Sequence, residues 1–518
     1  MRIEPRFLAV SFGLAAALVG QNDYSLDKVT PGTMGGLAAL RVQGAPPNMV
    51  HVVGVSLNAG PTPISIIDPL DPRSLELGLE LFSDWFFNLT SPTGTVTFGL
   101  TVPTNPVFNG VLAHWQTFTF PGVSTLVDQI SNDAIMKIGL PAQPQVAPGA
   151  LITGRAFAVS YLNTVANAGG GDVLLAGGGN GTLTAATGLA STEILDFREL
   201  SVHAGPPMAS ARALHLGIRL QDGRFLVSGG ADAVGTVLSS CEVYDPATNT
   251  WSATGSMATP RVLHAGCRMA DGRVMVAGGT NSFATPIAAI TGTQNTAEIY
   301  NPATGTWSAA PNIGGNRLSP ALSLLPNGRV MVSGGVQVTF LFGIPTAAGT
   351  TTAVQIYNPA TNSWAAGAAM PTAKTGHHYN QVTLTNGRVL MTGGVSVTVN
   401  ILAQTLTTAP LNAAEYYDQP TNTWTSVPMP TARSLHSATL LNDGRVIVCG
   451  GAQGTLDTPI PIANVEIFDP STNLWTPQTP LLAPRTGHQG MLLPDGLLVL
   501  LGGQDGSQTT TTIECMHF

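Results

Sequence analysis

The stretch DGRVMVAGG (271–279) decides the fold, because it returns six more times with small edits: GGDVLLAGG (170–178), DGRFLVSGG (222–230), NGRVMVSGG (327–335), NGRVLMTGG (386–394), DGRVIVCGG (443–451) and DGLLVLLGG (495–503). Each copy is a turn, a short apolar run and a glycine doublet, which reads as a buried strand leaving a hairpin. The doublets begin at Gly177, Gly229, Gly278, Gly334, Gly393, Gly450 and Gly502, at intervals of 52, 49, 56, 59, 57 and 52 residues. A period near 50 residues points to a radial array of small sheets.

Working outward from the doublet, each unit holds four strand signals. In the sixth these are LHSATLL (435–441), the DGRVIVCGG strand, VEIFD (465–469) and a short strand around Trp475. The turn between the first two is Asp-Gly or Asn-Gly in six of seven units, the dipeptide suited to a type I′ hairpin with positive φ at both central positions. The last turn is equally uniform: YDPATNTW (244–251), YNPATGTW (300–307), YNPATNSW (357–364), YDQPTNTW (417–424) and FDPSTNLW (468–475). Pro and Asn fix that corner, and the doublet leaves room for a neighbouring Trp to pack closely.

The doublets Gly229-Gly230, Gly278-Gly279, Gly334-Gly335, Gly393-Gly394, Gly450-Gly451 and Gly502-Gly503, with Trp251, Trp307, Trp364, Trp424 and Trp475 following at similar distances, resemble the kelch repeat. The resemblance covers roughly residues 150 to 518 and implies a seven-bladed kelch β-propeller. Two units depart from it: the first carries EILDFRELSVH (193–203) without Trp, and in the last only four residues follow Glu514. The segment near 141–153 (PAQPQVAPGALIT) is therefore expected to supply the missing outer strand and close the ring. A three-stranded last blade is the alternative.

The resulting organisation is all-β. Residues 1–20, with Arg2 and Arg6 before an apolar run, read as a secretory signal peptide. Alternation in TGTVTFGLTV (93–102) and HWQTFTF (114–120) places a small β-sandwich-like domain over 30–140, a spacer or attachment module, and 141–518 is the propeller. No later apolar run reaches membrane-spanning length.

Among 518 residues only 10% are charged, the net charge is −8, and Gly (59) and Pro (38) are abundant. With no basic run, nucleic acid is excluded as a partner. Cys241, Cys267, Cys449 and Cys515 suit an oxidising compartment; two neighbouring-blade disulfides and four buried thiols are both open.

Antiparallel blades send successive connections to alternate faces. The Asp-Gly and DPATN turns share a uniform face, while the loops after Gly-Gly share a variable one. Its longest loops, 280–296, 336–353 and 395–413, contain no charged residue. Their alternation suits hairpins that prolong the blades, and their neutral, Thr-rich surface suits a protein or a glycan.

A second pattern sets a basic residue three positions before a histidine: Arg212 with His215, Arg261 with His264, Lys374 with His377, Arg433 with His436 and Arg485 with His488, while Arg317 precedes Pro320. These open the innermost strands and form a ring at the channel mouth, a candidate site for a carboxylate or an acidic sugar. Glu193, Glu242, Glu298, Gln355, Glu415, Glu466 and Glu514 begin the third strands at the same end, so ion pairs within each blade are the expected use of the ring.

The wording of the repeat is most similar to the central domain of galactose oxidase-like copper radical enzymes. That resemblance implies a Tyr directly before a ligand His, but the matching positions here read Leu214-His215, Leu263-His264, Gly376-His377 and Leu435-His436. The Cys-Pro-Gly stretch of that family is missing too, and the improvised alternative is His377, His378 and Tyr379 with Tyr161 and Cys267. A sugar isomerase or mutarotase of the kelch type would need an acid, a base and an Arg, and Arg317 beside Gln355 is the one Arg without a Glu. The sequence favours a secreted binding or scaffold protein without cofactor, its partner a protein or polysaccharide at the cell surface.

Overall fold

In the computed structural model the described residues are 25–45, 50–57, 59–63, 74–77, 86–89, 93–102, 104–120, 130–131, 133–165, 170–180, 187–342, 344–377, 380–401, 403–506 and 508–518. The stretch read as a signal peptide lies outside them.

Each glycine-doublet strand sits second in a four-stranded antiparallel sheet, and seven such sheets follow one another along the chain. In the third, Ala265–Arg268, Val274–Ala277, Ala297–Asn301 and Thr306–Ala310 run from the axis outward. The doublet strands are buried on both faces because blades pack on blades, which is why they are continuous apolar runs rather than alternating ones. The seventh sheet takes its outer strand from Gln145–Ala150, paired antiparallel with Thr512–His517. The four-stranded closing blade is therefore the form the chain adopts, and the first and last parts of the propeller are joined by backbone hydrogen bonds.

The hairpins differ from the type I′ expectation. Gly223, Gly272, Gly328, Gly387, Gly444 and Gly496 have positive φ, but the Asp or Asn before each does not. Gly223 N donates to Leu220 O and Leu220 N to Arg224 O, a type I turn ending in a left-handed glycine and bulge. The Asp is selected by its carboxylate: Asp222 accepts from Arg224 N at 3.1 Å and from Arg224 Nε at 2.8 Å.

The outer corner follows its sequence. Asn249, Asn362, Asn422 and Asn473 are left-handed, and Tyr244, Tyr357 and Tyr417 donate their hydroxyls to the Asn of their own turn at 2.8–2.9 Å. The Trp rings tilt against these tyrosines at centroid distances of 5.2–5.3 Å. Trp307, Trp364, Trp424 and Trp475 each donate Nε1 to a carbonyl of the preceding blade at 2.8–2.9 Å.

Ahead of the propeller, Ser25–Lys28, Leu37–Gln43 and Val96–Thr101 form one sheet, and a five-stranded sheet that includes Leu112–Phe120 and Ala134–Gly139 forms the other. They share a core of Leu26, Leu40, Val53, Phe98, Trp115 and Met136. This unit docks on the uniform face: Asp27 pairs with Arg198 at 2.8 Å, and buried Lys28 lies 3.8 Å from Asp495 and donates to Ile135 O. Among the described residues, these contacts all lie on the uniform face.

Candidate functional site

The basic ring stands where the sequence places it, but its members are buried and bound. Arg212, Arg261, Arg317, Lys374, Arg433 and Arg485 are at most 1% exposed. Arg212 shows the arrangement: Nη1 donates to Gly229 O and Ser240 O, and Nη2 to Glu242 at 3.0 Å. Glu242 also accepts from Ala209 N and Ser210 N, in the connection from the preceding blade. One clamp thus ties together the doublet, the third strand and the crossover. Ion pairs at 2.6–3.0 Å recur for Arg261–Glu298, Lys374–Glu415, Arg433–Glu466 and Arg485–Glu514, and Glu298 and Glu514 also accept two crossover amides each. The heads do not face solvent, so the ring is not a carboxylate site, and pairing within blades is its use.

A seventh member escaped the sequence pattern. Arg155 pairs with Glu193 at 2.5 Å, but Ala158 stands where histidine stands elsewhere, so a basic-plus-histidine search passes over it. Glu193 was the signal, a third-strand carboxylate with no basic residue assigned. Arg317 is the exception. Its Nη1 reaches Gly334 O and Ala353 O, Nε and Nη2 have no partner, and burial lowers its pKa to about 10.

The histidines explain the glycine doublets. A Cβ on Gly229 would lie 2.3 Å from Arg261 O and 2.9 Å from the His264 ring, and Gly393 stands in the same way to Arg433 O and His436. The close neighbour is thus the next blade's histidine and backbone, not a Trp. The preceding Ser or Thr meets the ring: Ser228 with His264 at 3.1 Å, Ser333 with His377 at 3.3 Å, Thr392 with His436 at 2.8 Å. In blade six that residue is Cys449, and His488 turns to Ser437 at 3.0 Å. Burial drives the pKa of His215 and His488 down to about 3, with the neighbouring Arg adding to it, and His436 is lowered well below its usual value. These are neutral structural rings, not bases open to a substrate.

Two residues after each basic residue the backbone turns left-handed in all seven blades: Phe157, Leu214, Leu263, Ser319, Gly376, Leu435 and Gly487 have φ between 49° and 71°. Bulky residues adopt this conformation rarely. Here it is held by bonds between blades, such as Phe157 N to Gly487 O, Gly487 N to Leu435 O and Ser319 N to Leu263 O. It points apolar side chains into the channel mouth, where Phe157, Leu214, Leu263, Leu318 and Leu435 join one buried cluster.

The long loops roof this mouth. Val336–Leu341, Ile344–Thr350, Val395–Asn400 and Thr405–Pro410 are two hairpins joined, with Arg317–Leu318, into one five-stranded sheet. The third loop departs from the hairpin expectation. Residues 280–296 contain a helix, Pro286–Thr291, because Thr285 caps it by accepting from Ala288 N and Pro286 presets its first turn.

Tyr161 packs on Phe225 and donates to Gly223 O at the uniform face, Cys267 is half-buried with its thiol raised to about 12 by burial, and His378 and Tyr379 lie outside the described residues. No three His, Cys, Asp or Glu converge among the described residues, and the Leu-His positions turn Leu to the mouth and His into the wall. Among the described residues, no set of donors matches the copper site that the galactose oxidase resemblance implies. All four cysteines are free thiols.

Residues 215–258 and 261–314, blades two and three, match the Kelch motif. The chain is 29% identical over 164 residues to Kelch-like protein 36 of Bos taurus, covering 31% of this chain and 24% of that protein. Over 139 residues it is 28% identical to the spermatocyte protein spe-26 of Caenorhabditis elegans, covering 27% and 23%. The chain thus matches about a quarter of the length of these relatives. Its fold is similar to that of a fungal alcohol oxidase of the AA5 family solved in complex with copper, with TM-score 0.53 and 18% identity over 72% of this chain and 75% of that one. With Kelch motifs matched in two blades and seven four-stranded sheets in succession, the fold is that of a kelch β-propeller.

Proposed function

We propose that this protein is a secreted binding or scaffold propeller that holds a protein or polysaccharide of the cell surface on its variable face. The carrying observation is that this face presents apolar loop tips, Phe342 at 94%, Val234 at 86% and Ile460 at 61% exposure, with Asp232 and Asp457 in the loops of the last two and no charge in the three longest loops, while the ionic and histidine groups beneath are consumed by the scaffold. Exposed apolar residues gathered at one end of a rigid frame mark an interaction surface. The N-terminal unit, docked on the opposite face, serves as the spacer or attachment module. Secretion rests on residues 1–20.

Surface plasmon resonance of the whole chain against cell-surface polysaccharides and envelope proteins tests the reading. A triple variant, Val234→Ser, Phe342→Ser and Ile460→Ser, is expected to weaken the strongest interaction at least tenfold, and Leu474→Ser on the uniform face to leave it unchanged. Equal binding by the wild type and the triple variant overturns it.

A further inference from the structure

The loops of blades three to six do more than form a rim. Between them and the left-handed ring lies a cavity of about 100 Å³, walled by Leu263, Ile290, Val336, Val397, Leu406 and Leu435 among others. Among the described residues no charged side chain lines it, and the hydroxyl residues are Ser319 and Thr375. Thr375 Oγ1 is already committed, donating to Ser319 O at 2.8 Å. A water placed here would lack the two to four polar partners it needs, whereas an engineered cavity of about 150 Å³ with such a lining stays dry and takes up benzene or xenon.

The wall is not a product of the repeat. Ile290 comes from the helix inserted in blade three, Val336 from the blade-four hairpin, and Val397 and Leu406 from the blade-five hairpin. Long insertions in neighbouring blades therefore converge on one side of the sevenfold frame, the kind of broken symmetry that separates a ligand site from scaffold.

We infer that this cavity is a binding site for a neutral hydrocarbon group of about six carbons, an aromatic ring or the end of an aliphatic chain, entering from the variable face. Without a cation or an unused donor in the wall, an anionic group of the same shape is disfavoured. The inference is independent of the partner held by the exposed loop tips.

Isothermal titration calorimetry of the full chain with toluene, and with benzoate as the charged comparator, tests it. Toluene is expected to bind, with benzoate at least tenfold weaker. Ala289→Leu, which fills the cavity from the helix, and Leu406→Phe, which fills it from a hairpin outside the blades, should each weaken toluene at least tenfold without lowering the thermal midpoint. The triple variant of the exposed tips should bind toluene as the wild type does. Absence of toluene binding, benzoate binding as tight as toluene, or undiminished toluene binding in a folded Ala289→Leu or Leu406→Phe protein overturns the inference.

Discussion

Arg317 and Gln355 show how much one atom matters inside a blade. In Glu193, Glu242, Glu298 and Glu514 the carboxylate accepts two crossover amides and a guanidinium, so both buried charges are satisfied. Gln355 accepts one amide, Gly314 N at 2.7 Å, and leaves the buried cation uncompensated. Gln355→Glu is therefore expected to stabilise the protein by about 1–3 kcal/mol, read as a higher urea midpoint. Arg212→Met, which strands Glu242, should cost about 3–5 kcal/mol in the same assay. The histidines give a pH dependence. With folded pKa values near 3 at His215 and His488 against about 6.5 unfolded, the unfolded state binds more protons. Their contribution is complete above about pH 6.5 and lost as pH falls toward 3, roughly 2 kcal/mol per histidine by pH 5. Asp172, raised to about 6 by burial, acts with the opposite sign between about pH 4 and 6. Comparison with His215→Gln isolates the histidine: the variant should bind close to one proton fewer on unfolding between pH 5 and 6.

At the scale of the element, the repeat is legible because each turn and doublet solves a local problem. The left-handed corner before Trp takes Asn in four blades, in three of which it also accepts a Tyr hydroxyl, and in blade three Gly305 takes the same conformation with φ 68°. Asn362→Gly should therefore stay within about 0.5 kcal/mol of the wild type, and Asn362→Ala should lose about 1–2 kcal/mol by denaturant titration. Gly229→Ala meets both a disfavoured left-handed φ and the Arg261 carbonyl, and a loss on the order of 3 kcal/mol is expected. The type I′ expectation failed because a dipeptide does not reveal that its Asp will cap the backbone amide two residues on. The hairpin expectation failed for 280–296 because a Thr-Pro cap outweighed a weak alternation.

At the scale of the molecule, closure joins residues far apart in the chain. A protein comprising residues 141–518 retains Gln145–Ala150, whereas one comprising 154–518 leaves the edge of the last blade open. The second should unfold at a lower urea concentration and aggregate on light scattering, while the first stays monodisperse. The cysteines report the same event: burial raises Cys241 to about 11 and Cys449 and Cys515 to about 12. In native protein these thiols should resist labelling and react only as the blades open, with Cys515 labelled first in 154–518.

What the sequence by itself determined is whatever repeats: seven blades, their four strands, the corner Asn and Pro, the basic residue and its Glu. Each is a local rule written again every fifty residues or so, and repetition makes a weak signal strong. What only the tertiary structure decided lies between repeats. The glycine doublet accommodates the next blade's histidine, Arg155 completes the ring without a histidine beside it, and Leu rather than His faces the mouth because the chain turns left-handed before the inner strand. Loops from four blades enclose one apolar cavity there. These depend on contacts between distant strands and neighbouring blades, which exist only once the sheets have formed and packed into the ring.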